Sequence, residues 1–128
     1  MRVLVDTHAL LWWFDGDPQL SANARELFEG EPANIVVSAA SAWEIATKAR
    51  NGKLPRALVI ARNLPQALVE QGFQLLPITV AHGHRAGWLE GAHKDPFDRM
   101  LAAQALLEDL AVVTDDEKIA RFGVRTIW

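Results

Sequence analysis

Short apolar runs alternate with stretches of helical spacing along the chain. Runs at residues 3–5, 35–37, 112–113 and 124–127 have the length and branched character of strands. Between them, turn-forming residues fall where helices should start and stop. Residues 2–6 read as a strand and residues 7–14 as a short helix, ended by Asp15-Gly16-Asp17-Pro18. Ser21 caps a second helix to about Phe28, with Gly30 as its stop. Residues 34–38 form a buried strand, and Ser41 opens a third helix through Arg50 that Asn51-Gly52 closes. Residues 54–71 divide into two helical pieces at Pro65, and Gly72 ends them. The remainder reads as a strand at 73–77, a helix at 79–89, a loop at 91–94 and a long helix from Pro96 to Asp109. A strand at 110–114, a short helix at 116–122 and a last strand at 124–128 follow.

Strands alternating with helices on short connections predict a three-layer α/β/α domain with a mainly parallel central sheet. At 128 residues and 50% hydrophobic content, the expectation is one domain over residues 1–128 with one buried core. No apolar run approaches the ~20 residues that span a bilayer, so no membrane role is expected. Met1-Arg2 leads directly into a strand, which predicts no cleaved leader. With no cysteine, the chain has no disulfide, thiol nucleophile or thiolate-bound zinc, and a reducing cytoplasmic setting is expected.

Charge sharpens this picture through its placement. The net charge is −3, yet residues 48–94 carry seven Lys and Arg against two acids, while residues 1–47 carry two against seven and residues 95–128 four against seven. A basic surface beside an acidic site suits a polyanion held by phosphate contacts, although scattered solvating charge has the same composition.

The acids recur at strand exits and helix starts. Asp6 follows the first strand, Glu44 stands three residues after Ser41, Asp98 lies in Asp95-Pro96-Phe97-Asp98, and Asp115-Asp116 follow Val112-Val113-Thr114. Each has a capping explanation. Those positions nevertheless gather at the carboxyl edge of a parallel sheet, where ligands bind. Carboxylates assembled there repel one another unless protonated or bridged by a hard cation such as Mg²⁺ or Mn²⁺. Such an ion activates water and stabilises the oxygens of a phosphodiester, so hydrolysis of a nucleic-acid strand is the expected chemistry.

Asp6-Thr7-His8, Ser41-Ala-Trp43-Glu44-Ile45, His93-Lys-Asp95-Pro-Phe-Asp98-Arg99 and Thr114-Asp115-Asp116, in that order and across essentially the whole chain, resemble the acidic motifs of PIN domains. More closely they resemble the VapC-type toxins of type II toxin-antitoxin systems. The resemblance implies a Mg²⁺- or Mn²⁺-dependent endoribonuclease that acts on RNA, pairs with a cognate antitoxin and forms a homodimer. It implies Asp6, Glu44, Asp98 and Asp116 as the metal-binding and catalytic acids. Ile119 stands where the family often has an aromatic residue, with Phe122 later, so Asp115 rivals Asp116. Asp95 rivals Asp98 but makes the better cap before Pro96.

Thr7 and Thr114 are candidates to orient a carboxylate or a water. Lys48, Arg50, Lys53 and Arg56 are candidate phosphate contacts, and Arg99 a partner for an acid of the site or of the antitoxin. Of adjacent Trp12 and Trp13 at least one should lie at the surface, whereas Trp43, Trp88 and Trp128 read as core. A zinc site from His82, His84 and His93 is disfavoured by helical geometry. An aspartyl phosphatase is disfavoured by His8 where a second acid is wanted, a receiver-like module by the single acid after the first strand. A PIN-fold RNA-processing nuclease without an antitoxin is the remaining alternative.

Overall fold

The computed structural model describes residues 1–128. Its strands are β1 (Val3–Val5), β2 (Ile35–Ser38), β3 (Gln74–Leu76), β4 (Ala111–Val113) and β5 (Thr126–Ile127), and the first, second and fourth are buried throughout. They form one sheet in the order β3-β2-β1-β4-β5, with every neighbouring pair parallel. Parallel strands covered on both faces can be apolar at every position, which is why these read as unbroken runs.

The helices are α1 (Thr7–Asp15), α2 (Ala22–Glu29), α3 (Ala39–Arg50), α4 (Leu58–Arg62), α5 (Leu64–Gln71), α6 (Val80–Trp88), α7 (Pro96–Glu108) and α8 (Glu117–Ala120), with a 3₁₀ turn at Pro32–Asn34. Alternation along the strands sorts the core into two layers. Val3, Val5, Ile35, Val37 and Val113 pack with Ala9, Leu10, Ala24, Phe28, Leu64 and Leu68 of α1, α2 and α5. Leu4, Val36 and Val112 pack on the other face with Leu101, Ala102 and Ala105 of α7 and Ile119 of α8. The three-layer α/β/α arrangement follows. No helix is long and apolar enough to cross a membrane.

From β1 the chain builds outward through β2 and β3 on one side, then crosses to β4 and β5 on the other. The direction of winding therefore reverses between β1 and β4. In open α/β sheets ligands bind at the carboxyl ends of the strands beside such a reversal. Asp6 follows β1 there, and Thr114 to Asp116 follow β4.

Two expectations are corrected. Helix α3 begins at Ala39 with Ser38, the last residue of β2, as its cap, and Ser38 Oγ accepts from the Ala40 amide at 2.9 Å. Ser41 is wholly buried inside the helix, so it caps nothing and Glu44 lies beyond the first turn. Trp43 and Trp88 are 60% and 76% exposed rather than core. The buried residues of α6 are His82 and Ala86, and Trp88 lies about 200° of helical rotation past Ala86, on the opposite face. Trp43 is rotated one residue off the buried Glu44 stripe and meets Phe97 edge-on, ring centroids 4.7 Å apart. Trp12 and Trp13 are both half-buried; Trp13 stacks on Phe28 and Trp12 meets half-buried Trp128.

Candidate active site

Asp6 leaves β1 in extended conformation and caps α1, its Oδ1 accepting from the Ala9 amide at 2.7 Å. Its Oδ2 accepts from the Thr114 hydroxyl, which joins the ends of β1 and β4. The carboxyl group is buried, and this desolvation pushes its pKa from 3.8 up to about 6. Hydrogen bonds from Thr114 and Ala9 and the charge of His8 oppose the rise, and Asp115 adds to it.

Glu44 is buried on α3 and held at both oxygens. Oε1 accepts from the Thr7 hydroxyl at 2.6 Å, and Oε2 pairs with Lys48 Nζ at 2.5 Å, one turn further along α3. Thr7 follows Asp6 and its hydroxyl also lies 3.1 Å from buried Ser41 Oγ, so the start of α1 is tied to α3 beside Glu44.

Asp98 stands in the first turn of α7, which Asp95 caps by accepting from the amides of Phe97 and Asp98 at 2.9 and 3.0 Å. Its Oδ2 lies 2.7 Å from His93 Nε2. Burial is the main cause that pushes the Asp98 pKa up; the His93 contact pulls it down, and the negative charges of Asp95, Asp116 and Glu44 push it further up. Asp98 therefore senses acids from α3 and from the start of α8 as well as its own helix.

Asp116 is half-buried and caps α8 through the Lys118 amide at 2.9 Å. Its own amide donates to Thr114 Oγ1 at 3.0 Å, so one hydroxyl serves both Asp6 and Asp116. Asp115 is exposed and its charge acts on Asp6.

All these donors are carboxylate oxygens, the type that hard divalent cations select. No three acidic or imidazole side chains converge closely enough to ligate one ion. Threonine hydroxyls, an amide, Lys48 and His93 bond the oxygens of Asp6, Glu44 and Asp98 instead. By donor chemistry and accumulated negative charge the residues fit a hard cation; the set is a neighbourhood rather than a closed cage.

Other candidates fall elsewhere. Arg99 donates to the carbonyls of Ala86, His93 and Leu89 at 3.0, 2.9 and 2.5 Å, so it clamps a loop instead of pairing with a carboxylate. Arg56 pairs with Asp15 at 3.1 Å. His82 is buried and accepts from the Thr79 amide through Nδ1, while His84 is exposed, so the histidines share no site. The link from His93 to Asp98 is a feature that sequence reasoning misses, although a histidine in a loop five residues before an acid at a helix start is the pattern that produces it.

A model of the PIN domain family matches residues 3–124. Ribonuclease VapC16 of Mycobacterium tuberculosis is 38% identical over 73 residues, 54% of this chain and 50% of that protein, so the chain spans about half the length of the curated relative it matches. Among solved structures, the DNA-bound VapBC of Salmonella typhimurium aligns with a TM-score of 0.74 at 18% identity, over 99% of this chain and 97% of that one. Mycobacterium tuberculosis VapC20, described as a sarcin-ricin loop cleaving toxin, aligns at 0.70 and 19% identity over 95% of each. At these identities the two structures speak for the fold, and together with the match over nearly the full length they establish that this chain belongs to the PIN domain family.

Proposed function

We propose that this chain, one PIN domain over residues 1–128, is a cytoplasmic, divalent-metal-dependent endoribonuclease that acts as the toxin of a VapBC-type pair. The observation that supports the reading is that Asp6 and Asp116 follow β1 and β4 beside the reversal while Asp98 feels the charges of Glu44 and Asp116, with the Asp6 and Asp98 carboxyl groups pushed up in pKa by burial first and by neighbouring acids second. That accumulation is unfavourable for a chain with no cationic ligand to bind, and perturbed acids of this kind mark functional sites. The relatives named for ribonuclease and toxin activity support the same reading.

In this reading Asp6, Glu44, Asp98 and Asp116 hold Mg²⁺ or Mn²⁺. Held there, such an ion would supply Lewis acidity toward water and charge neutralisation at the phosphodiester oxygens. Thr114 fixes the rotamer of Asp6 and Thr7 that of Glu44, which removes reorganisation from the step in which substrate docks. Lys48 and His93 orient the Glu44 and Asp98 carboxyl groups through their hydrogen bonds. Exposed Trp43, Trp88 and Val80 are the apolar surface that an antitoxin segment and a second copy of the chain would cover.

The test is cleavage of structured RNA by the purified chain in Mg²⁺ or Mn²⁺. Excess EDTA should stop the reaction and added metal should restore it. Cleavage that continues undiminished under chelation overturns the metal-dependent reading.

A further inference from the structure

Beside the carboxylates a cavity of about 260 Å³ opens between the loop at residues 90–93 and α8, lined by Glu90, Gly91, His93, Lys118, Arg121 and Phe122. Three features make it more than a surface dent. The first is continuity: His93 lines the cavity and bonds Asp98 through Nε2, so the candidate site and the cavity share one side chain. The second is charge. Lys118 and Arg121 stand three residues apart, both exposed, and neither belongs to any of the chain's ion pairs. The third is rigidity. Phe122 is covered by the Arg99 guanidinium, 5.4 Å from its ring centroid, and His93 lies 6.1 Å away. Gly91, at φ +134°, brings its backbone so close that a Cβ there would sit 3.3 Å from Phe122 Cε1. The carbonyl bonds of Arg99 to Ala86, Gly87, Leu89 and His93 hold the loop in that position.

We propose that this cavity is a nucleotide subsite, which takes one residue of single-stranded RNA beside the phosphate held at the carboxylates, its own phosphate on Lys118 and Arg121 and its base against His93 and Phe122. The inference rests on the nuclease reading and deepens it. A strand held at Asp98 that runs on along His93 meets Lys118 and Arg121, two cations outside every ion pair of the chain. An anionic polymer with flat bases matches a lining that combines two cations with aromatic rings. Glu90 supplies an acceptor for base N–H groups.

The test uses a fluorescein-labelled, mixed-sequence single-stranded 12-mer RNA, with anisotropy read over a salt series. Wild-type chain is compared with the Lys118→Ala/Arg121→Ala double variant and with Arg2→Ala, which removes one positive charge at the opposite end of β1. Loss of two phosphate contacts should weaken binding roughly tenfold near 0.1 M salt and reduce the slope of log K against log salt by about 1.4, since each single-strand contact contributes about 0.7. Arg2→Ala should leave the slope within error. A double variant with wild-type affinity and slope, in a chain that still cleaves RNA, overturns the subsite and leaves the nuclease reading intact. A wild-type chain that neither binds nor cleaves RNA overturns that reading instead. Loss of binding to a poly-glutamate peptide with RNA binding unchanged would assign the cavity to an acidic polypeptide and likewise overturn the proposal.

Discussion

Two buried polar clusters stand at the carboxyl side of the sheet, and they differ in charge. Around Gln104 the groups are complementary: the Ser38 hydroxyl donates to Oε1 at 2.5 Å, the amide nitrogen donates to the Pro77 carbonyl at 3.3 Å, and His82 Nδ1 lies 3.4 Å away. Every donor meets an acceptor, and β2, α6 and α7 are riveted together. Around Asp6 and Glu44 the partners are also in place, and no buried side-chain polar atom in the chain lacks one. The groups being satisfied there, however, are anions. The Thr114 hydroxyl, the Ala9 amide and the charge of His8 offset only part of the desolvation of Asp6, which is why its pKa rises to about 6. The first cluster serves the fold, whereas the second holds charge in a place where the fold alone would be better off without it.

Substitutions that act on one cluster and spare the other sharpen this contrast. The largest effect is expected at Asp6. Asp6→Asn keeps an acceptor for the Ala9 amide but removes the charge, and RNA cleavage should fall by on the order of 10³-fold or more, as for loss of a group made essential by the reaction. A variant that retains wild-type kcat would remove Asp6 from the proposed machinery.

Next in size is the pH dependence of stability. A carboxyl group whose pKa is raised from 3.8 to about 6 on folding contributes stability that is fully present below about pH 3.8 and lost as the pH rises through about 6. Above that range ionised Asp6 costs the fold about 3 kcal/mol at most, because a tenfold change in proton affinity is worth about 1.4 kcal/mol. Asp6→Asn should therefore gain stability relative to wild type between about pH 4 and pH 7. Urea midpoints at the two ends of that range check it, and a stability difference that stays constant with pH counts against the burial of this charge.

Gln104→Leu should do the opposite of Asp6→Asn. It leaves the Pro77 carbonyl and the Ser38 hydroxyl short of a partner and should cost about 2 kcal/mol in chemical denaturation, with cleavage per folded molecule unchanged. Loss of activity without loss of stability would show that the two clusters are not separable. The smallest effect is expected at Thr7. Thr7→Val frees Glu44 from its hydroxyl partner and should lower cleavage roughly tenfold. Thr7→Ser should restore it, and a serine variant as impaired as the valine would point to packing as the cause.

What the amino-acid pattern discloses is what depends on neighbours in sequence. The strand into Asp6, the Pro65 break, the stop at Gly72 (φ +78°) and the Asp95-Pro96 helix start each rest on a few adjacent residues, and each stands close to its expected place. The cap of α3 is ambiguous in sequence because Ser38-Ala-Ala-Ser41 offers two equivalent hydroxyls, and only the length of β2 decides between them. Thr7 meeting Glu44, Arg99 turning back to the preceding loop and Trp88 facing solvent all depend on how helices cross. No local periodicity encodes those crossings.

The bond from Thr114 to Asp6 spans 108 residues of sequence and joins the first strand of the chain to the fourth. β1 precedes β4 in the chain, yet it is the central strand and stays unpaired along one edge until β4 exists. A ribosome still short of residue 114 therefore carries the Asp6 carboxylate without its neighbour and without Asp116. The four acids can meet only once the chain through Asp116 has been made and β4 has paired with β1, so the neighbourhood they form is a late product of folding and not of local structure.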